Sequence, residues 1–114
     1  MLKINHTNIE LTRADSAYIT IYITDERGTP IELTSQDKVR CQVREEADGG
    51  NLLFDGEIIR NGDEILWYIR PEDTEGVEAT DYVWDAQVEF ANGDVFTFIP
   101  LSRFRVLSEV TEVE

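Results

Sequence analysis

The sequence predicts an all-β protein, an antiparallel immunoglobulin-like β-sandwich of seven to nine short strands. Several segments alternate apolar and polar residues with a period of two, which is typical of strands that bury one face. Asn-Gly pairs separate some of these segments and indicate hairpins, and no amphipathic helix of useful length is evident. A small β-barrel is the structural alternative.

The segment 80–92 (TDYVWDAQVEFAN) is the strand around which the predicted sandwich is organised. Tyr82, Trp84 and Val88 alternate with polar residues, so one face carries large apolar side chains that a second layer must cover. We therefore expect this strand to be central. Tyr82 lies early in it, where the hydroxyl of a tyrosine corner would bind an upstream backbone carbonyl.

Shorter alternating segments predict the other strands, and their inward positions predict the core. The predicted strands are a first one at Ile9 and Leu11, then 17–24, 38–45, 52–60, 64–70, 95–99 and a last edge segment at Phe104, Val106 and Val110. The predicted core consists of Ile19, Ile21, Ile23, Val39, Cys41, Val43, Ile65, Trp67, Ile69, Tyr82, Trp84, Ala86 and Val88.

Turn residues predict the connections between these strands. Asn61-Gly62 and Asn92-Gly93 are predicted to close hairpins. Proline cannot donate a ladder hydrogen bond, so Pro30 is expected in an edge or a loop and Pro100 is expected to interrupt a strand. Residues 71–77 break the alternation and are expected to hold a single capped helical turn at the corner between sheets.

Length and charge bound the class of protein. The 114 residues fit a single domain over 1–114, with a core at about 9–108 and frayed ends. The 24 acidic residues against 10 basic ones give a net charge of −14, which disfavours nucleic acid and an anionic membrane as partners. No secretory leader or membrane span is evident, so we expect synthesis in the cytoplasm.

The sequence predicts no catalytic residue, no metal ligand set and no cofactor, and hence no enzyme. Cys41 is the only cysteine and occupies an inward strand position, so we expect a buried structural thiol. The only histidine is His6, and the phosphate-loop, dinucleotide and zinc-protease motifs are missing. Asp85 and Glu89 lie on one strand face about 13 Å apart at the usual strand rise, too far apart to share one ion.

Charge and aromatic residues predict an interaction surface. Residues 71–102 contain eight acidic residues and no Lys or Arg, whereas three basic residues share one face of 38–45, so two faces of opposite sign are predicted to stack head to tail. Tyrosines outside the core, with Phe96 or Phe98, are further interface candidates because aromatic residues are enriched at interface hot spots. The candidate interface residues are Tyr18, Tyr22, Lys38, Arg40, Arg44, Tyr68, Asp85 and Glu89.

An ordered series of short segments carries a family resemblance over residues 9–111. The series is LTRADS at 11–16, the strand up to Thr24, DERG at 25–28, LT at 33–34, DKV at 37–39, PEDT at 71–74, DYVWDAQ at 81–87, TFIPLSRF at 97–104 and EVT at 109–111. The chain thereby resembles the immunoglobulin-like N-terminal domain of baseplate upper proteins of tailed phages and prophages, and stand-alone relatives of that domain. It departs from the family at Ala14 and at Thr80-Asp81, where family members often have glycine.

The resemblance implies a structural role in a phage particle, in the baseplate, the tail or an appendage. It implies contacts with other phage structural proteins and with further copies of the same chain, and it implies no catalytic residues. The alternative from a different class is a carbohydrate-binding β-sandwich that recognises a host glycan, with Trp67 or Tyr68 as the aromatic platform.

Overall fold

A computed structural model describes residues 1–61 and 64–109 of the chain. Within these ranges the chain forms nine strands and one helical turn, so the predicted all-β class is confirmed. The strands and the turn are β1 (Leu2–Asn5), β2 (Asn8–Thr12), β3 (Ala17–Ile21), β4 (Lys38–Arg44), β5 (Leu52–Phe54), β6 (Glu57–Asn61), β7 (Glu64–Ile69), α1 (Pro71–Thr74), β8 (Asp81–Glu89) and β9 (Val95–Leu107).

The strands form two sheets that pack face to face. One sheet has six strands in the order β1-β2-β9-β8-β4-β5, and the other has three in the order β3-β7-β6. The three-stranded sheet matches strands B, E and D of an immunoglobulin-type sandwich, and β5-β4-β8-β9 match C′, C, F and G. The predicted immunoglobulin-like arrangement is therefore confirmed, with one difference: β2 pairs in parallel with β9, so the larger sheet is not purely antiparallel.

The core lies between the two sheets and contains every side chain that the alternation assigned to it. Trp67 of β7 and Trp84 of β8 stack across the two sheets with ring centroids 5.1 Å apart. Their indole nitrogens donate to the carbonyls of Asp55 and Thr7 at 2.9 and 2.8 Å, so neither buried N–H lacks a partner. The core is completed by Ile9, Leu11, Ala17, Phe54, Phe104 and Val106, which the prediction did not include.

The corner between the sheets has the predicted tyrosine hydrogen bond. The Tyr82 hydroxyl donates to the Glu78 carbonyl at 2.7 Å, four residues upstream, as in a tyrosine corner. The preceding turn α1 is closed by the Asp73 carboxylate, which accepts the Arg70 N–H at 2.8 Å. The hydroxyl of Thr74, which is fully buried, accepts the N–H of Ala14 at 2.8 Å and ties this corner to the turn after β2.

The prediction of one strand over 52–60 is wrong. The chain forms β5 in the six-stranded sheet, turns at Asp55-Gly56, and continues as β6 in the three-stranded sheet. Gly56 has a φ of 62°, and a Cβ there would lie 2.6 Å from the Trp67 indole nitrogen. A glycine is therefore required where the chain crosses from one sheet to the other over the buried tryptophan.

The predictions for the last strand are also wrong. β9 runs through Pro100 without ending, because its register to β8 shifts from Trp84↔Ser102 to Ala86↔Ile99 and this bulge accommodates the proline. β9 is not an edge strand either, since it lies between β8 and β2.

The N-terminal end and the turns of the chain agree only in part with the predicted elements. The N-terminal residues, expected to fray, form β1, which pairs with β2 but buries none of its side chains. β3 ends at Ile21, and Thr24 makes only an isolated bridge to Pro30, as expected of a loop at 29–33. The hairpin at Asn92-Gly93 is confirmed, with Gly93 at a φ of 94°. The Gly62 turn and the expected segment at Val110 and 111–114 lie outside the described residues.

Candidate interaction surfaces

The outer face of the three-stranded sheet, here called the aromatic face, is rich in apolar side chains. Strand register places its outward residues in cross-strand rows of Tyr18, Tyr68 and Glu57, then of Thr20, Leu66 and Ile59, and then of Glu64 and Asn61. Tyr22 follows the end of β3 and is 78% exposed, whereas Tyr18 is 59% exposed. The outer face of an antiparallel sheet is usually polar, so this composition requires an explanation.

Two tyrosines and an arginine form a stacked row across the aromatic face. The rings of Tyr18 and Tyr68 are nearly parallel, with centroids 4.3 Å apart. The Arg70 guanidinium lies over the Tyr68 ring at 4.8 Å and pairs with the Glu57 carboxylate. The Tyr18 hydroxyl beside it raises the pKa of Tyr68, and the Glu57 carboxylate raises the pKa of Arg70. Both shifts favour the protonated form, so Tyr68 stays neutral and Arg70 stays charged at neutral pH.

The predicted outward positions of the tyrosines are confirmed, but the proposed sugar platforms are not available as expected. Trp67 is fully buried, so it cannot stack on a ligand. Tyr68 is half-buried beneath Tyr18 and Arg70. Of the aromatic residues considered for ligand contact, Tyr18 and Tyr22 are the ones with large exposed areas on this face.

The outer face of the six-stranded sheet, here called the striped face, carries charges in columns that follow the strands. The outward charges of β4 are all basic (Lys38, Arg40 and Arg44), and those of the adjacent β8 are all acidic (Asp81, Asp85 and Glu89). β9 contributes Arg103 and Arg105, β2 contributes Glu10, and β1 contributes Lys3. The sign of the column thus alternates from strand to strand.

The striped face corrects the prediction of two faces of opposite sign. β4 and β8 are direct neighbours, with Lys38 opposite Glu89 and Gln42 opposite Asp85, so the basic column and the acidic column share one face. The other acidic residues of 71–102 lie in α1 and the loops. Sequence separation suggested two faces because the pairing of distant strands cannot be seen in the local sequence.

Ion pairs on the striped face differ in how well they are formed. Arg105 donates to the Asp81 carboxylate at 2.6 Å and lies 3.7 Å from Glu10, and this guanidinium lowers the pKa of Asp81. Arg40 and Glu89 are 4.0 Å apart, at the limit of an ion pair. Across residues 1–61 and 64–109, no ion pair or side-chain hydrogen bond is found for Lys38 or Arg103.

The phenylalanines considered as interface residues lie on the inner side of the sheet. Phe96 is opposite Val88, whose side chain is in the core, yet Phe96 remains 41% exposed. The six-stranded sheet is wider than the three-stranded one, so its inner face is not covered everywhere. Phe98 is half-buried and packs against the core.

A groove of about 400 Å³ lies beside Tyr22, between β3 and the loop at 30–33. Its walls include Ile21, Ile23, Ile31 and Leu33, and Arg60 lies at its edge. Arg60 donates to the carbonyls of Thr34 and Asp37 at 2.8 and 3.0 Å. The groove is therefore mostly apolar, and its one arginine holds the loop that forms the wall.

Cys41 is buried, as predicted, and burial raises the pKa of its thiol. A thiol of raised pKa in an apolar environment is a poor nucleophile. Within the described ranges, no group of three or more His, Cys, Asp or Glu side chains is placed to hold a metal ion.

Comparison with known proteins gives no further assignment. No protein-family model matches the chain, and no curated protein matches it either. In the part of the chain that the structure describes, no helix has the length and apolar character needed to cross a membrane.

Proposed function

We propose that the protein is a non-enzymatic structural protein of a tailed phage or prophage, part of the baseplate, the tail or an appendage. It acts through contacts with other phage structural proteins and with copies of itself, and its site of action is the virion, after synthesis in the host cytoplasm. The ordered series of segments over 9–111 supports the phage assignment through the family resemblance. The immunoglobulin-like strand order agrees with the fold that this resemblance implies.

The observation that carries the proposal is the aromatic face. Tyr18 and Tyr22 expose most of their surface, and Leu66 and Ile59 are only half-buried between them and the far edge of the sheet. Contiguous exposed apolar surface rimmed by polar residues marks interaction sites. Tyrosines bury much area with few rotamers to fix, which makes them effective anchors in a protein interface.

The phage assignment is tested by asking whether the chain is part of a particle. Tailed particles produced by the bacterium that carries the gene are purified, and their proteins are identified by mass spectrometry. We expect peptides of this chain at a constant ratio to the other tail proteins. Peptides present only in the soluble lysate, and not in the particles, would contradict the proposal.

The contact mechanism is tested by light scattering across protein concentration. If the aromatic face is an interface, Tyr18→Ala and Tyr22→Ala should each weaken association by about 2 kcal/mol, or roughly thirtyfold. Asp48→Ala, in the exposed loop between β4 and β5 of the other sheet, is the matched control and should associate like the wild type. Unchanged association of both tyrosine variants would remove the aromatic face from the mechanism.

Glycan recognition is the second candidate because Tyr18 and Tyr22 offer exposed rings. Tryptophan fluorescence is a poor probe for it, since both Trp67 and Trp84 are buried. Titration with glycans should therefore be followed by calorimetry. Saturable heat that is lost in Tyr18→Ala would favour glycan binding over assembly.

A further inference from the structure

The two outer faces of the sandwich have complementary charges. The striped face carries six basic side chains (Lys3, Lys38, Arg40, Arg44, Arg103 and Arg105) and four acidic ones (Glu10, Asp81, Asp85 and Glu89). It is therefore net positive on a chain whose net charge is −14. The remainder of the molecule is correspondingly more acidic than the total charge suggests.

The aromatic face carries acidic rather than basic charge. Glu57 and Glu64 lie among its outward residues, and the neighbouring Arg70 already pairs with Glu57. Two carboxylates thus share this face with the exposed tyrosines. A cationic surface is attracted to this face both by the carboxylates and by the tyrosine rings, since a cation over an aromatic ring is stabilised by the ring quadrupole.

The molecule contains an example of the contact that such docking would require. The Arg70 guanidinium lies 4.8 Å above the Tyr68 ring and pairs with a carboxylate of the same face. The next ring in the row, Tyr18, is more exposed and presents the same chemistry to a second guanidinium. On the striped face, Arg40 and Arg103 are exposed and not held by close intrachain pairs within the described ranges.

We infer that the occupant of the aromatic face is a second copy of this chain, docked through its striped face, with Arg40 and Arg103 against Tyr18 and Tyr22. This inference rests on the proposed function and names the partner. Two striped faces in contact would bring net positive surfaces together, and two aromatic faces would bring Glu57 and Glu64 against their own copies. Only the heterologous contact joins two faces of opposite net charge.

The contact leaves one face of each copy free for a further copy, because the two faces lie on opposite sides of the sandwich. Each copy would use its striped face for one neighbour and its aromatic face for the other. A heterologous contact of this kind gives a ring if the rotation closes and a filament if it does not. Association should weaken as ionic strength rises, because exposed charges are screened.

Two variants that each block one face test the arrangement. Variant one carries Arg40→Glu and Arg103→Glu and keeps the aromatic face; variant two carries Tyr18→Ala and Tyr22→Ala and keeps the striped face. We expect wild type to form species larger than a dimer and each variant alone to be a monomer by light scattering. A mixture of the two should form a one-to-one heterodimer that stops at two chains, at least tenfold tighter than either variant's self-association.

The outcomes separate this inference from the proposed function. A heterodimer shows in addition that both variants are folded, since each supplies an intact face. If wild type associates but the mixture stays monomeric, or if one variant still forms a homodimer, the heterologous contact is wrong while assembly by protein contact stands. A wild type that stays monomeric at every concentration overturns the inference, and detection of the chain in purified particles then decides the proposed function independently.

Discussion

The two outer faces of the sandwich obey the same alternation and carry different chemistry. On the six-stranded sheet the outward positions hold charges arranged so that each strand opposes a neighbour of the other sign. On the three-stranded sheet they hold two tyrosines, Leu66 and Ile59 beside four polar residues (Thr20, Glu57, Asn61 and Glu64). Because the inward side chains alone build the core, outward positions are under little packing constraint. Apolar residues there indicate that something other than folding selects them.

The first way to test this comparison is to put the same charge on each side of one strand. Val88→Asp places a carboxylate in the core between the sheets and should lower the free energy of unfolding by about 4 kcal/mol. Gln87→Asp changes the neighbouring outward position of β8 and should cost about 0.5 kcal/mol or less. Urea unfolding gives both values. A Val88→Asp protein as stable as the wild type would show that the inward face of β8 is wrongly assigned.

The second test disrupts the turn at Gly56, where the chain crosses from one sheet to the other. Gly56→Ala introduces a Cβ 2.6 Å from the Trp67 indole nitrogen and 2.7 Å from the Tyr68 carbonyl, at a φ of 62°. Left-handed strain and overpacking together should cost about 3 kcal/mol. Gly28→Ala is the matched control: its φ is 81° but nothing lies within 4 Å of the added atom, so only the strain of about 1 kcal/mol is expected. Equal losses in thermal unfolding would mean that the contact with Trp67 adds nothing.

The sequence was sufficient for features that depend on local periodicity. Alternation placed Ile19, Trp67 and Val88 in the core and Tyr18, Tyr22 and Tyr68 outside it, because the side-chain period of a strand does not depend on its partners. Alternation did not assign Phe54 or Phe104 to the core. Phe54 lies in a strand of three residues, and the strand of Phe104 contains a proline.

Features that depend on which strands are neighbours could not be predicted. The basic residues of β4 and the acidic residues of β8 are about forty residues apart in sequence and adjacent in the sheet, which reverses the expected charge arrangement. The position of β9 between β8 and β2 depends on a parallel pairing between the two ends of the chain. The break at Gly56 is visible in sequence only as a single glycine, which also occurs in unbroken strands.

The third test concerns the link between the two sheets at Asp37. Its carboxylate accepts the N–H groups of Thr34 and Ala91 at 2.7 and 2.9 Å, and its carbonyl accepts Arg60 of β6. The hydrogen bond from the Thr34 N–H, with the other donors, lowers the pKa of Asp37. The stabilisation is therefore complete above the unfolded value of about 3.9 and is lost as pH falls through the lower folded value.

Asp37→Asn removes both this stabilisation and its pH dependence. The amide offers one acceptor oxygen where the carboxylate offers two, so one backbone N–H loses its partner and the melting temperature at pH 7 should fall. Between pH 5 and pH 2 the difference between variant and wild type should shrink. Asp48→Asn, in the exposed loop between β4 and β5, is the control for general charge removal. A difference that stays constant across this pH range would contradict the assigned hydrogen bonds.

The smallest expected effect compares one pair from each outer face directly. Double-mutant cycles with alanine at Tyr18 and Tyr68, and at Arg40 and Glu89, measure the coupling within each pair. The stacked rings are in contact at 4.3 Å between centroids, whereas the charges are 4.0 Å apart and exposed to solvent. The tyrosine coupling should be about three times the charge coupling at low salt.

Raising the salt concentration sharpens the same comparison. The charge coupling should disappear because solvent ions screen it, whereas the tyrosine coupling should persist because it comes from ring contact. Equal couplings with equal salt dependence would mean that the tyrosine row is no better packed than the charge columns. The aromatic face would then lack the preformed anchor that the proposed docking of a second copy requires, because the tyrosines would have to be ordered at the moment of binding.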